Sequence, residues 1–164
     1  MKYLVPTLFL LLTSPLFADE TEHLSSIAIT VATDLNADGK TARTGNKAIL
    51  LLVSQEHCSY CIQIKREVIG PMLRSGDYKE TLLIREITLD GVSTVIDFKG
   101  ITRDNHNFVY DYKVSVTPTL LFLDGEGREL SEQMVGMQTP DMYYYYVDQS
   151  VQEALKALTH QTGH

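Results

Sequence analysis

The run Ala48-Ile49-Leu50-Leu51-Leu52-Val53 contains no polar residue and is flanked by Lys47 and Ser54. A strand sends alternate side chains to opposite faces, so a strand with no polar face must be covered on both. This requirement constrains the chain more than any other feature. It places the run in the middle of a parallel or mixed sheet with helices on both sides, an α/β architecture.

The segments that follow agree with that frame. Residues 60–74 are apolar at Ile62, Ile64, Val68, Ile69, Met72 and Leu73, a helical spacing, with Pro71 expected to kink the helix or end its first part. Thr81–Leu89 reads as the next strand, and Asp90–Asp104 as a connecting insertion of little periodicity. A short helix is expected over Asn105–Tyr112. Thr119–Leu123 is a third strand, Asp124-Gly125-Glu126-Gly127 a hairpin turn, and Glu129–Met137 the returning strand. Thr139 is placed to cap a last helix with Pro140 at its first position, running to about Leu158 and burying Val147, Val151, Ala154, Leu155 and Leu158. Upstream, residues 19–46 read as an N-terminal extension in which Asp34 caps a short helix to Ala42, ended by Gly45. The domain proper is expected over 47–161.

The first eighteen residues have the layout of a secretory signal: Lys2, an apolar run over Tyr3–Leu12, the break Thr13-Ser14-Pro15, and a small residue at Ala18. The run is shorter than the roughly 20 apolar residues needed to span a bilayer. No membrane insertion of the mature form is therefore expected. Removing 1–18 takes away only Lys2 as a charge, leaving 13 basic and 21 acidic residues, net −8. An acidic chain lacks the clustered Lys and Arg that bind phosphates, so nucleic acid is excluded as an expected partner.

A secreted chain meets an oxidising compartment, where cysteines pair. The two here, Cys58 and Cys61, are three positions apart, and a bridge between them closes almost no loop. It would constrain the unfolded chain little, so chemistry explains the pair better than stapling does. Cys58 lies just after the buried strand at the start of a helix, where free backbone N–H groups favour a thiolate. Cys61 sits one turn later and more deeply, suited to resolve a mixed disulfide made by Cys58. A structural zinc site needs four ligands. There is no second Cys pair, and the five histidines are scattered, so no metal is expected.

The chain resembles the thioredoxin superfamily in the strand AILLLV, the pair Cys58-Ser59-Tyr60-Cys61, Thr117-Pro118 before the strand TLLFL, and Gly136 in the returning strand. The resemblance covers about residues 47–160. It implies a thioredoxin fold, a mixed central sheet flanked by helices with an insertion before the proline. It also implies a thiol–disulfide oxidoreductase without a cofactor beyond the Cys58–Cys61 disulfide. Pro118 would be cis and, with Thr117, would hold an extended substrate beside Ser59 and Tyr60. Cys-x-Tyr-Cys with Thr before the proline is similar to periplasmic disulfide isomerases and reductases. A periplasmic reductase acting on protein disulfides is thus the expected function, supplied with electrons by a membrane-embedded reductase. A disulfide oxidase, an isomerase, or a non-catalytic peptide-binding module are the alternatives.

Two departures from the family stand out. Thioredoxin carries a buried aspartate six residues before its first cysteine, where this chain has Leu52, and there is no Trp before the motif. The proton of Cys61 must then go to water or to another carboxylate, with Glu56 as a candidate. His57 either lowers the Cys58 pKa when protonated or is a solvated loop residue. Asp34–Gly39 matches half of a calcium loop, but the twelfth position is Gly45 rather than Glu, so a helix cap is the expected role. In the run Tyr143–Tyr146, helical geometry sends some rings inward and some outward, toward core packing or a partner surface.

Overall fold

The computed structural model describes residues 28–162. The signal sequence expected over 1–18 lies outside the described residues. The sheet has four strands in the order β2-β1-β5-β6: β1 is Ala48–Ser54, β2 Leu82–Thr88, β5 Thr119–Leu123 and β6 Met134–Val135. β1 runs parallel to β2 and antiparallel to β5, which is antiparallel to β6. This is the mixed sheet expected from the sequence, with β1 central and all seven of its residues buried.

Alternation along β1 builds two cores. Ala48, Leu50 and Leu52 point to one face, under α2 (Ser59–Ile64), α3 (Gly70–Ser75) and α5 (Tyr143–Thr162), among Ile64, Val68, Ile69, Met72, Val147 and Val151. Ile49, Leu51 and Val53 point to the other, against α1 (Leu35–Gly45) and α4 (Asn105–Tyr110). A strand with no polar face is satisfied because neither face meets water.

Between α2 and α3 the helix widens into a π-turn over Lys65–Ile69, where the Gly70 N–H donates to the Lys65 carbonyl. Pro71 explains the widening. It has no N–H to give, and its ring would strike the carbonyl four residues back in a regular α-helix. A Cβ on Gly70 would also sit 3.0 Å from the Lys65 carbonyl oxygen.

Several expectations need correction. The N-terminal stretch is part of the domain from Ile29 onward. Val31 bridges to Glu86 beside β2, and Leu35 and Ala42 of α1 are fully buried. Asp34 caps α1 through a bond from the Ala37 N–H at 2.9 Å, as expected of a cap. The helix is ended by Asn46 in the left-handed region rather than by Gly45. The connection Asp90–Asp104 folds as a two-stranded hairpin of β3 (Thr94–Ile96) and β4 (Thr102–Asp104). Its turn is held by Asp97, whose carboxylate accepts the Lys99 and Ile101 N–H groups. Three-residue strands leave too short a pattern for alternation to be read.

The returning strand shrinks from the expected Glu129–Met137 to Met134–Val135 plus one bridge from Glu129 to Leu123. Gly136, at φ 69°, turns the chain out of the ladder. Thr139 makes no side-chain cap. Instead Pro140–Met142 form a 3-10 turn in which the Met142 N–H donates to the Thr139 carbonyl. Of the α5 positions expected inside, Val147, Val151, Ala154 and Leu158 are buried, while Leu155 is half-buried.

Candidate functional site

β1 ends at Ser54 and the chain turns through the exposed residues Gln55, Glu56 and His57 into Cys58. Cys58 keeps an extended backbone and serves as the N-cap of α2, its Sγ accepting the Cys61 N–H at 3.1 Å. A sulfur in that position receives a donor aimed at it and the positive end of the helical segment. Cys58 is half-buried and Cys61 fully buried. The two form a disulfide with Cα atoms 5.1 Å apart. An incoming sulfur can therefore reach Cys58 but not Cys61.

The loop before Cys58 is held from two sides. The Glu56 N–H donates to both oxygens of Asp90, at 3.0 and 2.9 Å, and Thr117 Oγ1 donates to Gln55 Oε1 at 2.9 Å. The second bond brings Thr117 and the cis peptide Thr117–Pro118 to the cysteine loop. Pro118 is buried. Its carbonyl accepts the Gly136 N–H at 2.8 Å, and Tyr143 closes the set by donating its hydroxyl to the Gly136 carbonyl at 2.7 Å. Burial pushes the Tyr143 phenol up to about 12.

Ser59 and Tyr60 face solvent on the first turn of α2, with Tyr60 53% exposed, and Val116 lies exposed just before Thr117. Of the Tyr143–Tyr146 run, Tyr143 is core and the other three are exposed.

Glu56 and His57 sit at the surface beside Cys58, and Glu56 takes part in the loop through its backbone N–H. A different carboxylate lies beneath the helix. Glu86 on β2 is the register partner of Leu52 and is buried. It accepts the Ser54 hydroxyl and pairs with the Lys65 ammonium. Neither Lys65 nor Glu86 was expected from the sequence. The signal was present in the consecutive charges Arg85-Glu86, which interrupt an otherwise apolar strand. Arg85 turns to the opposite face, where it forms a close pair with Asp38 of α1. Asp38, with the capping Asp34, is thereby committed to structure. Among the described residues no group of three or more His, Cys, Asp or Glu is arranged to hold a metal. No helix among them is long and apolar enough to cross a membrane.

Comparison with known proteins places this geometry. The thioredoxin-like domain model matches residues 35–150, beginning at α1 and ending within α5. No curated protein sequence matches the chain. Among solved structures the fold is similar to that of a DsbH oxidoreductase, with 17% identity and a TM-score of 0.54 over 81% of this chain and 89% of that one. It is similar to the thioredoxin of Fasciola hepatica, with 13% identity and a TM-score of 0.53 over 77% of this chain and 99% of that one. A thioredoxin-fold protein from Helicobacter pylori matches at 18% identity and a TM-score of 0.50, over 71% and 84% of the two chains. At these identities the structures speak to fold, while the family model covers most of the chain, cysteine pair included. With its disulfide at the start of α2 and a cis proline tied to the same loop, the chain belongs to the thioredoxin-like domain family, as a thiol–disulfide oxidoreductase.

Proposed function

We propose that the protein is exported by cleavage after Ala18 and works in the periplasm as a reductase of protein disulfides. The observation that supports the chemistry is the asymmetry of the pair: Cys58 can be reached from solvent and is capped by a backbone donor, while Cys61 is enclosed one turn below. In the reduced protein the Cys58 thiolate attacks a substrate disulfide, releasing one substrate thiol and leaving a mixed disulfide. Cys61 then attacks Cys58 Sγ, freeing the second thiol and regenerating the Cys58–Cys61 bond. The exposed Tyr60 and Val116 flank this position and suit an extended polypeptide, with Ser59, Thr117 and Pro118 completing the contact surface. The pair is its own redox group and calls for no further cofactor. Return to the dithiol requires an electron donor, for which a membrane-embedded reductase is the fitting partner.

The reduction potential of the pair, equilibrated against a dithiothreitol series, tests the direction. A value near that of thioredoxin, about −270 mV, is expected for a reductase. A value near about −120 mV would make the protein a disulfide donor and overturn the reading. Cys58→Ser is expected to abolish exchange, since Cys61 has no route to the substrate.

A further inference from the structure

The second half of the exchange has a proton to dispose of, and the family's usual place for an acid is filled by Leu52, which is fully buried. We propose that Glu86, held between Ser54 and Lys65, is the base that takes the proton of Cys61 when the mixed disulfide resolves; this rests on the oxidoreductase reading above.

Three observations place Glu86 there. First, it lies on the sheet face that α2 covers. Leu82, Ile84 and Glu86 alternate with Leu83 and Arg85, and the first two pack in the core with Ile64, Leu50 and Leu52. Second, its partner Lys65 stands one turn beyond Cys61, with its N–H donating to the Cys61 carbonyl. Residues so related are neighbours on a helix. A single turn therefore joins the resolving cysteine to the ammonium that grips Glu86.

Third, the other buried carboxylates among the described residues are already engaged. Asp97 holds the hairpin turn, and Asp124 accepts from the Glu126 and Arg128 N–H groups in the turn after β5. Among the described residues, no backbone N–H donates to the Glu86 side chain. Its partners are a hydroxyl and an ammonium, either of which can shift as charge moves. A buried carboxylate kept for stability alone is a poor bargain against an apolar residue.

The groups facing the carboxylate are few. The helix supplies the Lys65 ammonium, and β1 supplies the neutral Ser54 hydroxyl. Val31 and Ala32, alongside β2, bring no titratable side chain. The Glu86 side chain is 9% exposed and that of Lys65 34%, so the pair leads from the interior to solvent.

The step balances as follows. Glu86 takes the Cys61 proton, and the thiolate attacks Cys58 Sγ. The bond from Cys58 to the substrate sulfur breaks, with its electron pair leaving on the substrate. The substrate thiolate takes up one proton from solvent, and Glu86 returns one past Lys65. Two electrons have passed from the cysteine pair to the substrate, and the charge of the site is restored. Lys65 and Ser54 are positioning residues in this scheme.

The test uses the full reduced chain and Ellman's disulfide, whose coloured thiol is released once when Cys58 attacks and again when Cys61 resolves. For Glu86→Gln, which can still accept from Ser54, the first release is expected to be unchanged. The second should be about 100-fold slower near about pH 6 and rise about tenfold per pH unit as hydroxide replaces the base. Lys65→Gln keeps the base but removes the ammonium that positions it, so its second release should also slow, by about tenfold, while its first release is unchanged. The lysine end is partly open, so this variant also serves if Glu86→Gln does not fold. A second release that keeps the wild-type rate and pH profile in the folded variants refutes the assignment and leaves the oxidoreductase reading standing. A wild-type chain that captures the probe and never resolves it refutes both.

Discussion

Asp38→Asn tests whether α1 is integral to the domain. The Arg85 guanidinium reaches both oxygens of Asp38, its Nε at 2.9 Å from each and Nη2 at 2.7 Å from Oδ1. This joins α1 to β2 across 47 residues of sequence. The two side chains are only 18% and 16% exposed. That puts the pair between a surface ion pair, at about 0–1 kcal/mol, and a buried one, whose breakage costs about 3–5 kcal/mol. Asparagine keeps the shape and one acceptor but loses the charge, and with it the favourable interaction with the first turn of α1, about 0.3–1 kcal/mol. The expected loss is about 2–3 kcal/mol, most of it from the lost charge pairing of Arg85, which keeps neutral acceptors in the asparagine oxygen and the Ile84 carbonyl. In a domain of this size that is a fall in Tm of about 6–10 °C. Urea unfolding of wild type, Asp38→Asn, Arg85→Met and the double variant isolates the coupling. The double variant should be less destabilised than the sum of the singles. A loss under about 0.5 kcal/mol, no larger than that of the exposed Glu153→Gln, would refute the reasoning. So would an early separate transition for α1, which would make it an appendage.

Two further predictions concern packing and pH. Gly39 lies inside α1, where alanine normally stabilises a helix by about 1 kcal/mol. Here a Cβ would come 2.4 Å from the Gly125 carbonyl oxygen, so Gly39→Ala should destabilise instead, by about 1–3 kcal/mol in urea; a gain would show that the two backbones have room to part. Tyr143 holds its proton more firmly folded, at about 12, than unfolded, at 10.0. Its contribution is therefore complete below about pH 10 and is lost as pH rises from there toward about 12. Tyr143→Phe loses the bond to Gly136, about 1 kcal/mol at neutral pH, but should be less sensitive than wild type above about pH 10. Parallel stability curves up to about pH 11 would exclude that account.

Much of this protein is legible without coordinates because its signals are local. Six apolar residues in a row bounded by polar ones suit a strand covered on both faces, and two cysteines three apart at a strand-to-helix junction share one helical turn. Each of these rests on periodicity or on the stereochemistry of a few adjacent residues. What the sequence left open depends on residues far apart in the chain. The membership of α1 in the domain is decided by Leu35 and Ala42 meeting the rear face of β1 and by Asp38 meeting Arg85. The shortness of β6 follows from the turn at Gly136, which is tied at once to Pro118 and Tyr143. The carboxylate proposed as the base is the clearest instance. Glu56 adjoins Cys58 in sequence but lies at the surface. Glu86, 25 residues beyond Cys61 in the numbering of the chain, is carried under its helix by the parallel register of β1 and β2. Helix and strand periods are set by the backbone alone, whereas register and the meeting of distant charges are set by how the folded layers close on one another.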